Sequence, residues 1–310
     1  MSEVLRGLVA PFADIASNPS FFAEVLIGGV AAGLMYSLVA LGFVLIFKAS
    51  GVFNFAQGAM VLFAALTLVR LMEKMPLAAA LAVTLLVMVA LAWFIERLVL
   101  RPLVNQEHII LFMATIGLNF FLEGFGEMVW GANVKRLDIG IPDTSFKIGS
   151  VLVNRLELTA AITAAVLVTV LALFFQKTGI GRALRAVADD HEAALSLGIP
   201  LRTIWTVVWS VAGLVALVAG IMWGAKSGVQ FSLSLIALKS LPVLILGGFT
   251  SVPGAIAGGL IIGVCEKIAE VYWGPLVGGA IENWFAYVVA LGFLLIRPQG
   301  LFGEKIIERV

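Results

Sequence analysis

The sequence predicts an all-α integral membrane protein: a polytopic helical bundle of about 8–10 spans, built as two weakly related halves. Three observations carry that prediction. The 310-residue chain is 61% hydrophobic and 13% charged, with a mean hydropathy of +1.09, far from the balance of a soluble domain. Its apolar runs are much longer than the alternating strands of a membrane barrel, so its backbone must be satisfied within helices. Small residues recur at four-residue spacing, Gly29 with Gly33, Gly220 with Gly224, Gly254 with Gly258 and Gly259 with Gly263. That spacing lets helix backbones approach closely.

In chain order, residues 1–20 form a polar or interfacial leader that contains acids and Pro11. This is not the form of a removable signal peptide, so the first span is expected to direct insertion. The apolar run 21–47 is ended by Lys48 and the stretch 49–58. A short run, 59–72, closes at Arg70, Glu73, Lys74 and Pro76. Residues 77–95 form a clean span, 96–107 a charged turn, 108–130 a span and 131–154 a polar loop. Residues 158–175 lead into a charged stretch at 177–202. Then come 203–224, the short run 234–248 broken by Pro242, 254–272, 279–296 and a polar tail from Arg297. All of this is expected to be one transmembrane domain over residues 1–310.

The stretch 177–202 holds seven charged side chains in 26 residues and cannot lie in hydrocarbon. Ile180, Ala183, Leu184, Val187, Ala194 and Leu195 recur at helical spacing, while Arg182, Arg185, Asp189, Glu192 and Ser196 fall on the other side. Asp189 three residues before Glu192 has the form of a capping box, so a second short helix is expected there. Gly198 and Pro200 mark its end. Such a helix docks on protein or lies on the lipid surface; the pattern allows both.

Orientation follows poorly from charge. If nine segments cross, ten basic residues face one side (Lys48, Arg97, Arg101, Lys177, Arg182, Arg185, Arg202, Arg297, Lys305 and Arg309) and eight the other. That margin is too thin for the positive-inside rule. Parity does put the 177–202 stretch, the Arg97–Arg101 turn and the tail together.

Two glycine-rich breaks fit one pattern, G-x-F-x-x-x-x-G-A, at Gly51 to Ala59 and at Gly247 to Ala255. Each follows an apolar run and precedes a small-residue helix, so discontinuous helices are expected near 49–58 and 242–254. Irregular backbone at that depth either lines a path between internal repeats or forms a tight surface loop. Asn54, Gln57, Gly58, Gly247, Gly248 and Gly254 are the path candidates, with Lys239 beside the Pro242 break. The costly acids Glu123, Glu127, Glu266 and Glu270 share helix faces in pairs. An ion pair of one of them with Lys239 would lower that cost; proton carriage by a secondary transporter would use the same groups.

Much chemistry is excluded. A net charge of +1 without a basic tract argues against nucleic acid. The lone Cys265 rules out disulfides and thiolate metal clusters within the chain. His108 and His191 have no second ligand near them in sequence, so no metal site is expected. No phosphate-cradling nucleotide loop, nucleophile elbow or zinc-protease motif occurs.

Glu192, Ala193 and Ala194, with Gly198 four residues after the last alanine, match the EAA-x-x-x-G core of the cytoplasmic loop of bacterial ABC importer permeases. The later part of that motif is not evident. Residues 33–64 resemble the start of LivH-type permeases of branched-chain amino-acid importers, with Gln57 where that family reads histidine. The Glu96, Arg97, Arg101 and Pro102 turn, Thr115 to Gly117, Leu246 to Ala255, and the ending from Arg297 to Gly303 also match. The resemblance implies a multi-pass permease of the bacterial inner membrane, its 177–202 loop and C-terminus cytoplasmic, without catalytic residues or a cofactor of its own. It implies three kinds of partner besides the lipid bilayer: a second, LivM-type permease, two ABC ATPase subunits carrying ATP and Mg, and a periplasmic substrate-binding protein. Arg182, Arg185, Asp189, Glu192, Ala193, Ala194 and Gly198 would form the ATPase-coupling loop. The substrate implied is a branched-chain amino acid, with urea, amides and other amino acids as alternatives within the family.

Overall fold

In the computed structural model, residues 2–103, 106–189 and 191–303 are described, apart from the side chains of 2–8, 108, 191 and 192. The side chains of Glu192, His108 and His191, and the tail charges Lys305 and Arg309, lie outside the described residues.

Helix α2 (Pro19–Ser50) is the axis of the bundle. Asn18 caps it, its side-chain oxygen accepting from Phe21 N at 3.3 Å, and Pro19 opens the first turn. Its sequence is apolar on every face, and such a helix is stable only when covered all round. Helix α1 (Ser2–Ser17) precedes it, so the leader is helical. Along α2 runs the antiparallel α12 (Val252–Tyr272), Gly29 facing Val264 and Gly33 facing Gly259 and Leu260. A Cβ at Gly263 would overlap the backbone of Gly33, so two of the small-residue pairs form this one crossing. The Gly220 and Gly224 pair of α9 (Leu201–Ser227) packs on Val61 and Ala65 of α3 (Gln57–Met72).

The outer helices are α4 (Leu77–Phe94), which continues through a wide π turn at Ile95–Leu100, then α5 (His108–Trp130) and α6 (Arg155–Lys177). Their outward faces carry Leu86, Phe120, Val166 and other exposed apolar side chains, as contact with lipid requires. Among the described residues, six helices are long and apolar enough to cross a membrane, and Gln57–Met72, Phe231–Gly247 and Phe285–Ile296 are shorter apolar stretches. Together these are the nine apolar segments of the sequence. The last, α13 (Phe285–Ile296), starts later than the run 279–296, because Gly278, Gly279 and Ala280 all have positive φ and turn the chain first.

The loop 131–154 is not wholly irregular. Strands β1 (Ser145–Ile148) and β2 (Val151–Asn154) pair antiparallel, Ser145 opposite Asn154, around Gly149 at φ 65°. This hairpin marks one end of the bundle. There Glu24 accepts from Leu152 N at 2.7 Å, Lys226 pairs with Glu157 at 2.7 Å, and Lys135 exchanges backbone bonds with Val229. Glu73 holds Arg70 at 2.6 Å and Lys135 at 2.7 Å. These two cations, with Lys135 the stronger influence, hold the Glu73 carboxyl below its ordinary range.

The opposite end gathers the 177–202 stretch, the 96–107 turn and the tail, the grouping that parity requires. Glu96 and Arg101 share a cavity with Leu195, Pro200 and Arg202. Gly181 and Arg185 share another with Ser251 and Phe302.

Candidate functional site

The first break is a corner at the loop end of α2. Gly51 takes a left-handed φ of 68° and returns its N–H to Phe47 O, a conformation that favours glycine. Residues 51–56 then run irregularly into α3. Asn54 is fully buried: its Oδ1 accepts from Ala56 N at 3.1 Å and its Nδ2 faces Gln57 Oε1 at 3.4 Å. Gln57 is also fully buried, against Gly42 of α2, and its Nε2 has no partner among the described residues. Thr115 of α5 closes the corner, its hydroxyl accepting from Phe55 N at 3.2 Å and lying 2.9 Å from Phe112 O. Gly58 meets the carbonyl of Ser234 so closely that a Cβ would overlap it.

The second break repeats this plan. Helix α10 (Ile236–Lys239) gives way at Ser240 to α11 (Leu241–Gly247). Gly248, at φ 101°, turns the chain, and Ser251 caps α12 by accepting from Gly254 N at 3.0 Å. Gly247 and Gly254 touch through their backbones. The tail then folds back: Leu301 N donates to Leu246 O at 2.7 Å and Phe302 N to Gly247 O at 3.2 Å. These bonds satisfy carbonyls that the end of α11 leaves open.

Phe53 and Phe249 hold the same place in the repeated pattern and their rings touch, with centroids 6.3 Å apart. Phe53 also stacks on Phe43 at 4.7 Å. Both α2 and α11 run antiparallel to α12, so the two helix pairs are related in the parallel sense. Six of the seven path candidates lie at these corners. Lys239 does not: it ends α10 at the Ser240 junction, eight residues or about 12 Å of helix rise from Gly247.

The stretch 177–202 folds as α7 (Gly179–Asp189) and α8 (His191–Ser196). Gly181, Leu184 and Val187 are buried against the bundle, so the apolar face of α7 docks on its own chain rather than on lipid. Gly181 allows α7 to cross the end of α6, where a Cβ would overlap Phe175. Arg182 and Asp189 point outward. Arg185 is turned to structural use, its guanidinium donating to Phe175 O at 2.8 Å at the C-terminus of α6. In α8, Ala194 is buried and Ala193 exposed, and Gly198 at φ 79° ends the helix as Ile199 N returns to Ala194 O at 3.0 Å. That left-handed closure is the physical reason for a glycine at this position.

Two of the four span acids, Glu266 and Glu270, have contact partners other than Lys239. Tyr36 donates to Glu266 Oε1 at 2.9 Å, and Lys267 pairs with Glu270 at 2.9 Å. No ion pair of Lys239 forms in contact among the described residues: its side chain lines a cavity on the hairpin side and acts on the Glu266 carboxylate only through space. The Tyr36–Glu266 bond was not foreseen; a tyrosine within an apolar run is its one trace in the sequence. Trp205 Nε1 donating to Ala49 O at 3.0 Å, which ties α9 to the first corner, was likewise missed.

Comparison with known proteins agrees with this architecture. The family model described as branched-chain amino acid transport system / permease component matches residues 25–297. The chain is 28% identical to the high-affinity branched-chain amino acid transport system permease protein BraD of Pseudomonas aeruginosa, over 93% of this chain and 98% of BraD. Identity to the permease protein LivH of Salmonella typhimurium is 26%, over 94% of this chain and 98% of LivH. A probable LivH of Methanocaldococcus jannaschii is 27% identical over 90% of this chain and 92% of its own. A bundle of membrane-spanning helices matched along almost its whole length belongs to the permease-component family of branched-chain amino acid transport systems.

Proposed function

We propose that this chain is the permease subunit of an ATP-driven importer for branched-chain or similar apolar amino acids, one transmembrane domain over residues 1–310. The supporting observation is the α7–α8 unit: its apolar face is anchored in the bundle while Arg182, Asp189 and the exposed Ala193 face outward, on the stretch that carries the EAA-x-x-x-G pattern. This reading makes the loop end cytoplasmic and the hairpin end the receiving face for a substrate-binding protein, in a bacterial plasma membrane. A related permease completes the path, and two ATPase subunits carry ATP and Mg. Their closure moves α6 and α9, which flank the coupling unit, and opens the path alternately to each side. Asn54, Gln57, Gly58, Gly247, Gly248 and Gly254 form its corners, and Lys239 its opposite mouth. The partners of Glu266 and Glu270 argue against a proton-coupled carrier, in which such acids would be free to load and unload.

The test is substrate-stimulated ATP hydrolysis and uptake by the reconstituted complex. Substitution of Glu192 or Gly198 should uncouple the two, and unchanged values for both would remove the coupling assignment. Asn54→Ala and Gln57→Ala should alter uptake at an unchanged amount of assembled complex; intact transport in both would reduce the first corner to a structural turn.

A further inference from the structure

The cavity at the hairpin end, about 500 Å³, lies between the end of α9, residues 230–239 and the start of α13. Its size falls within the roughly 300–1,000 Å³ usual for small-molecule sites. Gln230, Ser232, Lys239, Asn283, Tyr287 and Trp223 line it, and among the described residues the lining contains one cation and no carboxylate. Lys239 is half-buried and has no ion pair among the described residues. Glu266, held behind the wall by Tyr36, acts on this ammonium only through space, so Lys239 keeps its hydrogen-bond donors for an anionic group in the cavity.

The wall itself is fixed. Tyr287 donates to Leu238 O at 2.7 Å, and Trp223 stacks on Tyr36 with centroids 5.5 Å apart, backed by the Tyr36–Glu266 bond. Trp223 Nε1 is buried without a partner among the described residues, so this residue serves the cavity as a wall. Leu235 and Leu238 supply an apolar flank.

We propose that this cavity receives an α-amino acid as a zwitterion, Lys239 binding its carboxylate while the side-chain oxygens of Gln230, Ser232 and Asn283 face its ammonium. The assignment rests on the importer reading above and narrows it, since neutral urea or an amide has no use for the cation. Lys239 then acts as a specificity residue of the permease itself, separate from the substrate-binding protein.

The experiment is equilibrium binding of radiolabelled leucine, and of leucinamide as competitor, to the purified complex without its binding protein. Wild type should bind leucine and discriminate against the amide. Lys239→Gln should weaken leucine binding by roughly 10–100-fold, the range for a hydrogen bond to a charged group. Lys239→Arg should retain it, and Lys74→Gln, which removes an exposed charge outside the cavity, should change nothing. Equal binding of leucine and leucinamide by wild type would overturn the proposal, and so would undiminished leucine binding by Lys239→Gln. The wild-type comparison and Lys239→Arg decide the matter even where Lys239→Gln fails to assemble. Failure of the importer reading is a different result: the complete wild-type complex, with its binding protein, takes up no amino acid.

Discussion

The rings of Phe53 and Phe249, 196 residues apart in the chain, meet edge-on with an interplanar angle of 71°. Each stands at the third position of its corner, so the contact joins the two breaks directly. Alanine at either position should loosen both corners, and the two losses should not add. A double-mutant cycle followed by unfolding in mixed micelles should return a coupling of about 0.5–1.5 kcal/mol, the usual worth of an aromatic pair. Strict additivity would mean that the corners move independently.

The α2–α12 crossing depends on the absence of side chains. Gly263→Leu would drive a branched side chain into the backbone of Gly33 and should cost at least about 1–3 kcal/mol of overpacking. The amount of complex extracted from membranes should fall accordingly. Gly292→Leu is the control, because a Cβ there meets nothing within 4 Å. Similar losses in both variants would point to a general intolerance of bulk instead.

Glu73 gives the hairpin end a pH dependence of known sign. Its folded-state pKa lies below the unfolded value of about 4.3, first through the Lys135 bond and then through Arg70. The stabilisation is therefore present above the unfolded pKa and is lost as pH falls through the folded one. Thermal melts of wild type and Glu73→Gln should differ slightly near neutrality, since the group is exposed, and converge in acid. A gap that widened as the pH fell would contradict this account.

The two arginines of α7 should separate in their effects. Arg185→Gln removes the donor that closes the end of α6 and should lower the melting temperature of the complex, by an amount equivalent to about 1–3 kcal/mol. Arg182 faces outward, so Arg182→Gln should leave the melting temperature in place and alter the ATP-to-uptake ratio. The reverse assignment of phenotypes would place the ATPase on the other face of the helix.

The long spans are legible in the sequence because hydrocarbon imposes a length and a composition that few alternatives satisfy. The corners are legible too, through glycines that neither helix interior nor lipid explains. What lies between segments is less so. The 145–154 hairpin is four residues a side, too short for alternation to stand out against a polar loop. The use of Arg185 is invisible in sequence, because a charged residue on a polar face looks the same whether it meets a partner or its own helix end. Lys239 has the same ambiguity. Its place beside the Pro242 break is where the sequence puts it, but that its side chain lines a cavity on the hairpin side is not visible there. The tail is the clearest case: nothing in residues 300–303 says that they will satisfy the carbonyls of Leu246 and Gly247.

Both corners turn at one end of the bundle, so an even number of crossings separates the start of α2 from the start of the second helix pair. Gain or loss of a single helix between them would deliver the second corner to the wrong side of the bilayer. Gain or loss of a helical hairpin would leave it in place. Lineages of such a chain can therefore lengthen or shorten two helices at a time, and a transplanted segment is accepted or refused by its parity before its sequence matters.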